Sequence, residues 1–142
     1  MSGLKLMTVI LILTFSNAKA ESFGECLVRA GQFHGVNPKL LYAIAVVESG
    51  LNVKAINFNK NGSKDYGIFQ INESNLVRLG IPVEYAFDPC KSAYIAGYLL
   101  KKCVSTYGYS WHAIDCYNKG SKARGFTDYV KKVLFVYKRL SN

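Results

Sequence analysis

The stretch Asn37-Pro38-Lys39-Leu40-Leu41-Tyr42-Ala43-Ile44-Ala45-Val46-Val47-Glu48-Ser49-Gly50 decides how this chain reads. Residues 38–47 are almost wholly apolar, too rich in apolar side chains for a helix lying on a surface. Asn37 supplies a cap and Pro38 suits the first helical position, so the run predicts a buried helix. Ser49-Gly50 stops it. The run delivers one ionisable group, Glu48, at its end. A carboxyl carried there loses water and holds its proton longer than a free one. A carboxyl still protonated near neutral pH can serve as a general acid. The competing reading is an exposed residue at a helix C-terminus with no role.

Working outward, the N-terminus is a separate segment. Lys5 gives a short positive region, residues 6–15 are apolar apart from two threonines, and Ala18-Lys19-Ala20 has the small-x-small form of a cleavage site. Residues 1–20 read as a secretory signal peptide. Ten apolar residues fall well short of the roughly 20 that a membrane-spanning helix needs. Residues 21–142 are then one domain with a real core. This part keeps 16 basic and 9 acidic residues, a net charge of +7. Such a charge on an exported protein favours anionic envelope polymers or membrane surfaces. Nucleic acid is not expected as a partner, because export removes the protein from it and no aromatic-interleaved basic motif is present.

Four cysteines remain, Cys26, Cys90, Cys103 and Cys116. In an exported chain the even count reads as two disulfides, with three pairings open. They lack the paired C-x-x-C spacing of a zinc site. No metal and no cofactor is expected.

The rest is mostly helical. Residues 23–33 place apolar side chains at helical spacing, and Gly35 ends that run. Residues 50–66 change character: Asn52, Asn57, Asn59, Asn61, Gly62 and Ser63 make a polar insert, with a short strand expected near residues 54–57. A short helix is expected over residues 73–79, capped by Asn72. Asp88-Pro89 opens a long helix to about Thr106. Ser110 caps another over residues 111–117, and a basic, glycine-bearing loop spans 118–125. Thr127 caps the last helix, 128–140, with Tyr129, Val133, Val136, Tyr137 and Leu140 on its apolar face. The fold class is mostly α, a single helical domain with a short strand-bearing insert.

Cleavage of a glycosidic bond needs a protonated carboxyl beside the leaving oxygen, often with a second carboxylate nearby. Glu48 is desolvated, and Asp65, inside the polar insert, is solvated, which pushes their pKa values apart. Gln70 and Asn118 offer hydrogen bonds to sugar hydroxyls and acetamido groups. Tyr66, Trp111 and Tyr117 offer faces for stacking, although Trp111 and Tyr117 also suit a core.

Three stretches carry a family resemblance. Val47-Glu48-Ser49-Gly50-Leu51-Asn52 resembles the glutamate-serine motif of the SLT-type lytic transglycosylases. Gly67-Ile68-Phe69-Gln70-Ile71-Asn72 is similar to their glycine-leucine-methionine-glutamine motif. Tyr117-Asn118-Lys119-Gly120 resembles their alanine-tyrosine-asparagine-alanine-glycine motif. The motifs occur in the family's order, and the resemblance spans residues 23–140. Phe69 stands for a methionine, Cys116 for an alanine and Lys119 for a small alanine. The nearest likeness is to the small exported branch that accompanies conjugation, pilus and type III secretion machines. In that branch an early cysteine and an Asp-Pro-Cys resemble Cys26 and Asp88-Pro89-Cys90, which supports the preferred pairing, Cys26–Cys90 with Cys103–Cys116.

The resemblance implies an α+β lysozyme-like fold and a periplasmic monomer acting on peptidoglycan glycan strands, with machinery components as further partners. It implies cleavage of the β-1,4 bond from N-acetylmuramic acid to N-acetylglucosamine, with a 1,6-anhydro product. Glu48 is the implied catalytic residue. Ser49, Tyr66, Gln70, Tyr117 and Asn118 are the implied substrate contacts, and Asp65 a supporting carboxylate. Residues 65–72 also resemble the segment of animal c-type lysozymes that holds their second carboxylate. A hydrolytic muramidase using Glu48 and Asp65 is therefore one alternative, and a wall-binding assembly factor without activity is another.

Overall fold

The structure, a computed structural model, describes residues 19–142. The expected signal peptide lies outside the described residues except for its last two. Among these residues six α-helices occur in chain order: α1 (Phe23–His34), α2 (Pro38–Ser49), α3 (Glu73–Leu79), α4 (Pro89–Tyr107), α5 (Trp111–Lys119) and α6 (Asp128–Leu140). A small antiparallel sheet lies between α2 and α3, with strands β1 (Ile56–Phe58), β2 (Lys64–Tyr66) and β3 (Ile71–Asn72) in the order 1-2-3. Among the described residues no helix is long and apolar enough to cross a membrane.

The helices start and stop where their capping chemistry dictates. Ser22 and Glu25 form a reciprocal capping box at the start of α1. Asn37 accepts from Lys39 N at 2.9 Å, with Pro38 in the first turn of α2. Asn72, Asp88, Ser110 and Thr127 cap the next four helices in the same way. Gly50 ends α2 in a left-handed conformation, where its N–H returns to the last turn.

Packing follows from the apolar stripes. α1 lies on α4, α2 on α6, and α4 on α5. Leu41, Ile44, Phe69, Ile71, Leu100, Val130 and Val133 are fully buried where these elements meet. Two disulfides tie the helices together, Cys26–Cys90 between α1 and the start of α4, and Cys103–Cys116 between α4 and α5. This is the expected pairing.

The departures are local and have physical reasons. The first strand begins at Ile56 rather than at Lys54, because Asn52 holds residues 52–55 in a turn: its side chain accepts from Lys54 N and its carbonyl from Ala55 N. α5 runs on to Lys119, and a 3-10 turn over Gly120–Lys122 takes up part of the expected loop. Another 3-10 turn, Val83–Phe87, lies between α3 and α4. The buried line of α6 runs through Val130 and Val133, which turns Tyr129 toward α2. Gly67 belongs to the segment between β2 and β3. Its φ is +76°, its N–H donates to Ala55 O at 2.7 Å, and a Cβ there would run into the Ala86 backbone.

The Cys26–Cys90 bridge closes a span of 64 residues, so its loss releases much unfolded-state entropy. Replacing both cysteines by serine is expected to cost about 4 kcal/mol in urea unfolding.

Candidate active site

Glu48 lies on the buried line of α2 formed by Leu41, Ile44 and Ala45, at the i, i+3, i+4, i+7 spacing of one helix face. It is therefore turned into the protein rather than out to water. Its carboxyl lines an open cleft of about 750 Å³. The sheet side of the cleft presents Asn59, Ser63, Asp65, Gln70 and Asn72, and the helical side presents Tyr117, Asn118 and Lys119.

Burial raises the Glu48 pKa to about 7. That value is the balance of several effects: beside burial, the Tyr129 hydroxyl facing the carboxyl lowers it, the charge of Asp65 raises it, and the Asn118 amide lowers it. The place of Glu48 in the last turn of α2, at the negative end of the helix dipole, acts in the same direction as burial. At neutral pH this carboxyl is thus divided between its protonated and ionised forms, as proton donation followed by proton uptake requires.

Asp65 stands in the middle of the sheet, in register with Asn57 on one side and Asn72 on the other. It accepts from Asn72 Nδ2 at 2.8 Å and from Asn59 Nδ2 at 3.1 Å. Both carboxylate oxygens are thereby held by amide donors, a fixed negative charge facing the cleft. Side chains alternate across a strand, so its neighbour Tyr66 points the other way. The Tyr66 ring packs on Phe87, its hydroxyl donates to Glu73 Oε2 at 3.4 Å, and it does not line the cleft.

Other nominated residues serve the frame. Ser49 Oγ donates to Ile68 O at 2.7 Å, which ties the end of α2 to the segment after β2. Gln70 has a left-handed backbone (φ 51°), and its side chain is used by the protein. Nε2 donates to Gly67 O at 2.9 Å, and Oε1 accepts from Asn57 Nδ2 at 2.6 Å. Tyr117 lines the cleft while its hydroxyl donates to Phe69 O at 3.0 Å. Burial, with the charges of Glu48 and Asp65, pushes its pKa well above the usual tyrosine value, so it stays neutral. Trp111 is half exposed, packs at a tilt against the Phe126 ring and lines a separate apolar groove with Leu40 and Leu100.

Two residues of the site were not legible beforehand. Tyr129 faces Glu48 from α6, and its hydroxyl is the one buried side-chain polar atom among the described residues without a regular hydrogen-bond partner. Its only sequence signal was a phenol on the apolar face of the last helix, a signal it shares with Tyr137. Asp115 is fully buried on α5 and accepts from Arg124 N at 2.6 Å, Gly125 N at 3.4 Å and Thr127 Oγ1 at 2.8 Å. Burial alone raises its pKa, but these donors together with Lys119 bring it below the usual carboxylate value. Lys119 Nζ lies 3.6 Å from the same carboxylate, which gives the lysine in the Tyr-Asn motif a structural purpose.

The family model described as Transglycosylase SLT domain matches residues 25–132. The chain belongs to the transglycosylase SLT domain family. It is an enzyme of the lytic transglycosylase class. It is 39% identical over 119 residues to Protein IpgF of Shigella flexneri, covering 81% of this chain and 78% of that one. It is 34% identical over 139 residues to Invasion protein IagB of Salmonella typhimurium strain SL1344, covering 93% and 84%. It is also 34% identical over 146 residues to a Peptidoglycan-binding-like protein of Escherichia coli O157:H7, covering 93% and 85%. The structure is similar to lytic transglycosylase Slt of Pseudomonas aeruginosa, with a TM-score of 0.62 at 19% identity. The match covers 82% of this chain and 24% of that one and shows the shared lysozyme-like fold.

Two outcomes follow from the setting of Glu48. Its raised pKa favours the folded state while the carboxyl is protonated. That contribution is full below the unfolded value of about 4.5 and is lost as pH rises to about 7. Glu48→Gln removes the loss, so its stability relative to wild type should improve by about 1–3 kcal/mol between pH 4 and pH 8, read by urea titration at both. Tyr129→Phe removes the hydroxyl that faces Glu48 and favours its ionised form. The alkaline limb of the activity profile should move to higher pH than in wild type.

Proposed function

We propose that this enzyme cleaves the β-1,4 bond between N-acetylmuramic acid and N-acetylglucosamine in peptidoglycan, with Glu48 as the catalytic residue. The observation that carries this reading is a carboxyl with a pKa near 7 opening on the large cleft. Glu48 first gives its proton to the glycosidic oxygen, which departs with the N-acetylglucosamine side. The muramic acid C1 becomes electron-poor, and the carboxylate left on Glu48 faces it. The C6 hydroxyl of the same sugar attacks C1 and closes a 1,6-anhydro ring, and its proton returns to Glu48. The group ends as it began, and no water is consumed.

Asp65 supports this cycle as a fixed charge. Its oxygens are held by Asn59 and Asn72, which suits stabilisation of the oxocarbenium-like state rather than attack on it. The amide of Asn118 and the side-chain oxygen of Asn59 hold sugar hydroxyls and acetamido groups. Tyr117 and Gln70 keep the walls in place from within, and Ser49 secures the end of α2.

The wider role follows from the same substrate. Residues 1–20 direct export, and residues 21–142 act in the periplasm, where peptidoglycan lies. Similarity to a protein named for invasion and to one named as peptidoglycan-binding-like supports local opening of the wall for an envelope-spanning secretion, conjugation or pilus machine.

Mass spectrometry of the glycan products tests the chemistry. Wild type should yield anhydro ends, and Glu48→Gln should lose at least 10²-fold of the rate while still folding. Asp65→Asn should lower the rate without abolishing it. Reducing ends, with Asp65→Asn as inactive as Glu48→Gln, would show a hydrolytic muramidase instead.

A further inference from the structure

The cleft carries charge that neutral sugar does not call for. Its charged lining consists of two acids, Glu48 and Asp65, and three cations, Arg78 from α3, Lys102 from α4 and Lys119 from the end of α5. The remaining sheet-side lining is made of amides and hydroxyls, Asn59, Asn61, Ser63 and Asn72 among them. N-acetylated sugar rings bear no charge and are matched by that neutral wall. Cations close to the reacting carbon would oppose an oxocarbenium-like state. The neighbours that set the Glu48 pKa are Tyr129, Asp65 and Asn118, and none of the three cations is among them. The cations line the cleft from α3, α4 and α5, none of them from α2, which carries Glu48.

Two of the three have no acidic partner; the Arg78 guanidinium donates to Asn75 Oδ1 from one nitrogen and keeps its other N–H groups for a ligand. Among the described residues neither Arg78 nor Lys102 has an acid within ion-pair distance, and both side chains are exposed. Lys119 keeps its link to Asp115 while lining the cleft. The branch borne by each muramic acid supplies the matching charge: a lactyl carboxylate where the branch is bare, or the free carboxylates of a peptide stem where one is amide-linked to it.

We propose that Arg78 and Lys102, with Lys119 beside them, form a subsite for carboxylates carried on the muramic acid branch, so that the enzyme prefers anionic glycan over the same glycan with its charge removed. The proposal rests on the reading of the cleft as a peptidoglycan site. Its energetics are those of exposed ion pairs. It should therefore act on KM more than on kcat and weaken with added salt.

The test uses the mature enzyme and soluble, uncross-linked glycan strands in three forms: with intact stems, with stem carboxyls capped as methylamides, and with stems removed by an amidase to leave the lactyl carboxylate. Wild type should favour intact over capped strands by about 3- to 10-fold in kcat/KM at low salt. The double variant Arg78→Glu/Lys102→Glu should lose or invert that preference. Both positions are exposed, and a circular dichroism melt matching wild type confirms the fold. An intact-over-capped preference assigns the stem carboxylates, since the lactyl carboxyl is an amide in both. Stripped strands show whether the bare lactyl carboxylate also fits: as good as intact strands, it fills the same subsite; as poor as capped strands, the subsite takes stem carboxylates alone. A double variant that still separates intact from capped strands by the wild-type ratio would overturn the proposal. If wild type makes no anhydro ends from any strand, the catalytic reading fails. The subsite then stands or falls on whether intact strands bind more tightly than capped ones at low salt.

Discussion

One carboxyl held out of water governs this architecture. Glu48 occupies a place on α2 that the apolar line of Leu41, Ile44 and Ala45 would otherwise fill with an aliphatic side chain. Desolvation there penalises the ionised form, and the end of the helix dipole adds to the penalty. The fold therefore gives up stability at neutral pH to keep a proton donor on hand. Such a site persists only where the surrounding structure fixes it, and the ties around Glu48 do so from three directions.

From the sheet side, Ser49 Oγ binds Ile68 O one residue after the glutamate. From α5, the Tyr117 hydroxyl binds Phe69 O in the same segment. From α6, Tyr129 faces the carboxyl. The approach of α6 depends in turn on Asp115, whose buried carboxylate gathers Arg124 N, Gly125 N and Thr127 Oγ1 and so sets the loop that leads into the helix. A buried charge of this kind is tolerated because donors meet it on several sides. The Cys103–Cys116 bridge holds the same end of α5 against α4.

The helices were legible because they carry their signals locally. Asn37-Pro38, Asn72, Asp88-Pro89 and Thr127 announce starts, and Gly35, Gly50 and Gly80 announce ends. The buried carboxyl was legible because ten nearly unbroken apolar residues precede it. The walls of the cleft were less so. Tyr66 was nominated along with Asp65, yet adjacent residues on a strand face opposite ways, and only the pairing of Asp65 with Asn57 and Asn72 shows which one meets the cleft. Trp111 and Tyr117 lie six residues apart on one helix and so occupy different faces. Tyr129 and Asp115 stayed hidden because their importance comes from contacts across the chain: α6 meets α2, and the carboxyl of α5 meets a loop about ten residues on. No local pattern encodes such contacts.

The crowding at Gly67 bears on how this protein can change over generations. A single methyl group there meets the Ala86 backbone, and the positive φ already discourages any other residue. A mutation at this position would have to displace the Val83–Phe87 turn, while the same segment is bonded to Ala55, Ser49 and Tyr117. The two stretches, separated in sequence by the whole of α3, are thus one evolutionary unit: drift in either is confined to substitutions the other can absorb. New specificities are more accessible at the exposed cations along the border of the cleft, where a side chain can be exchanged without moving any backbone.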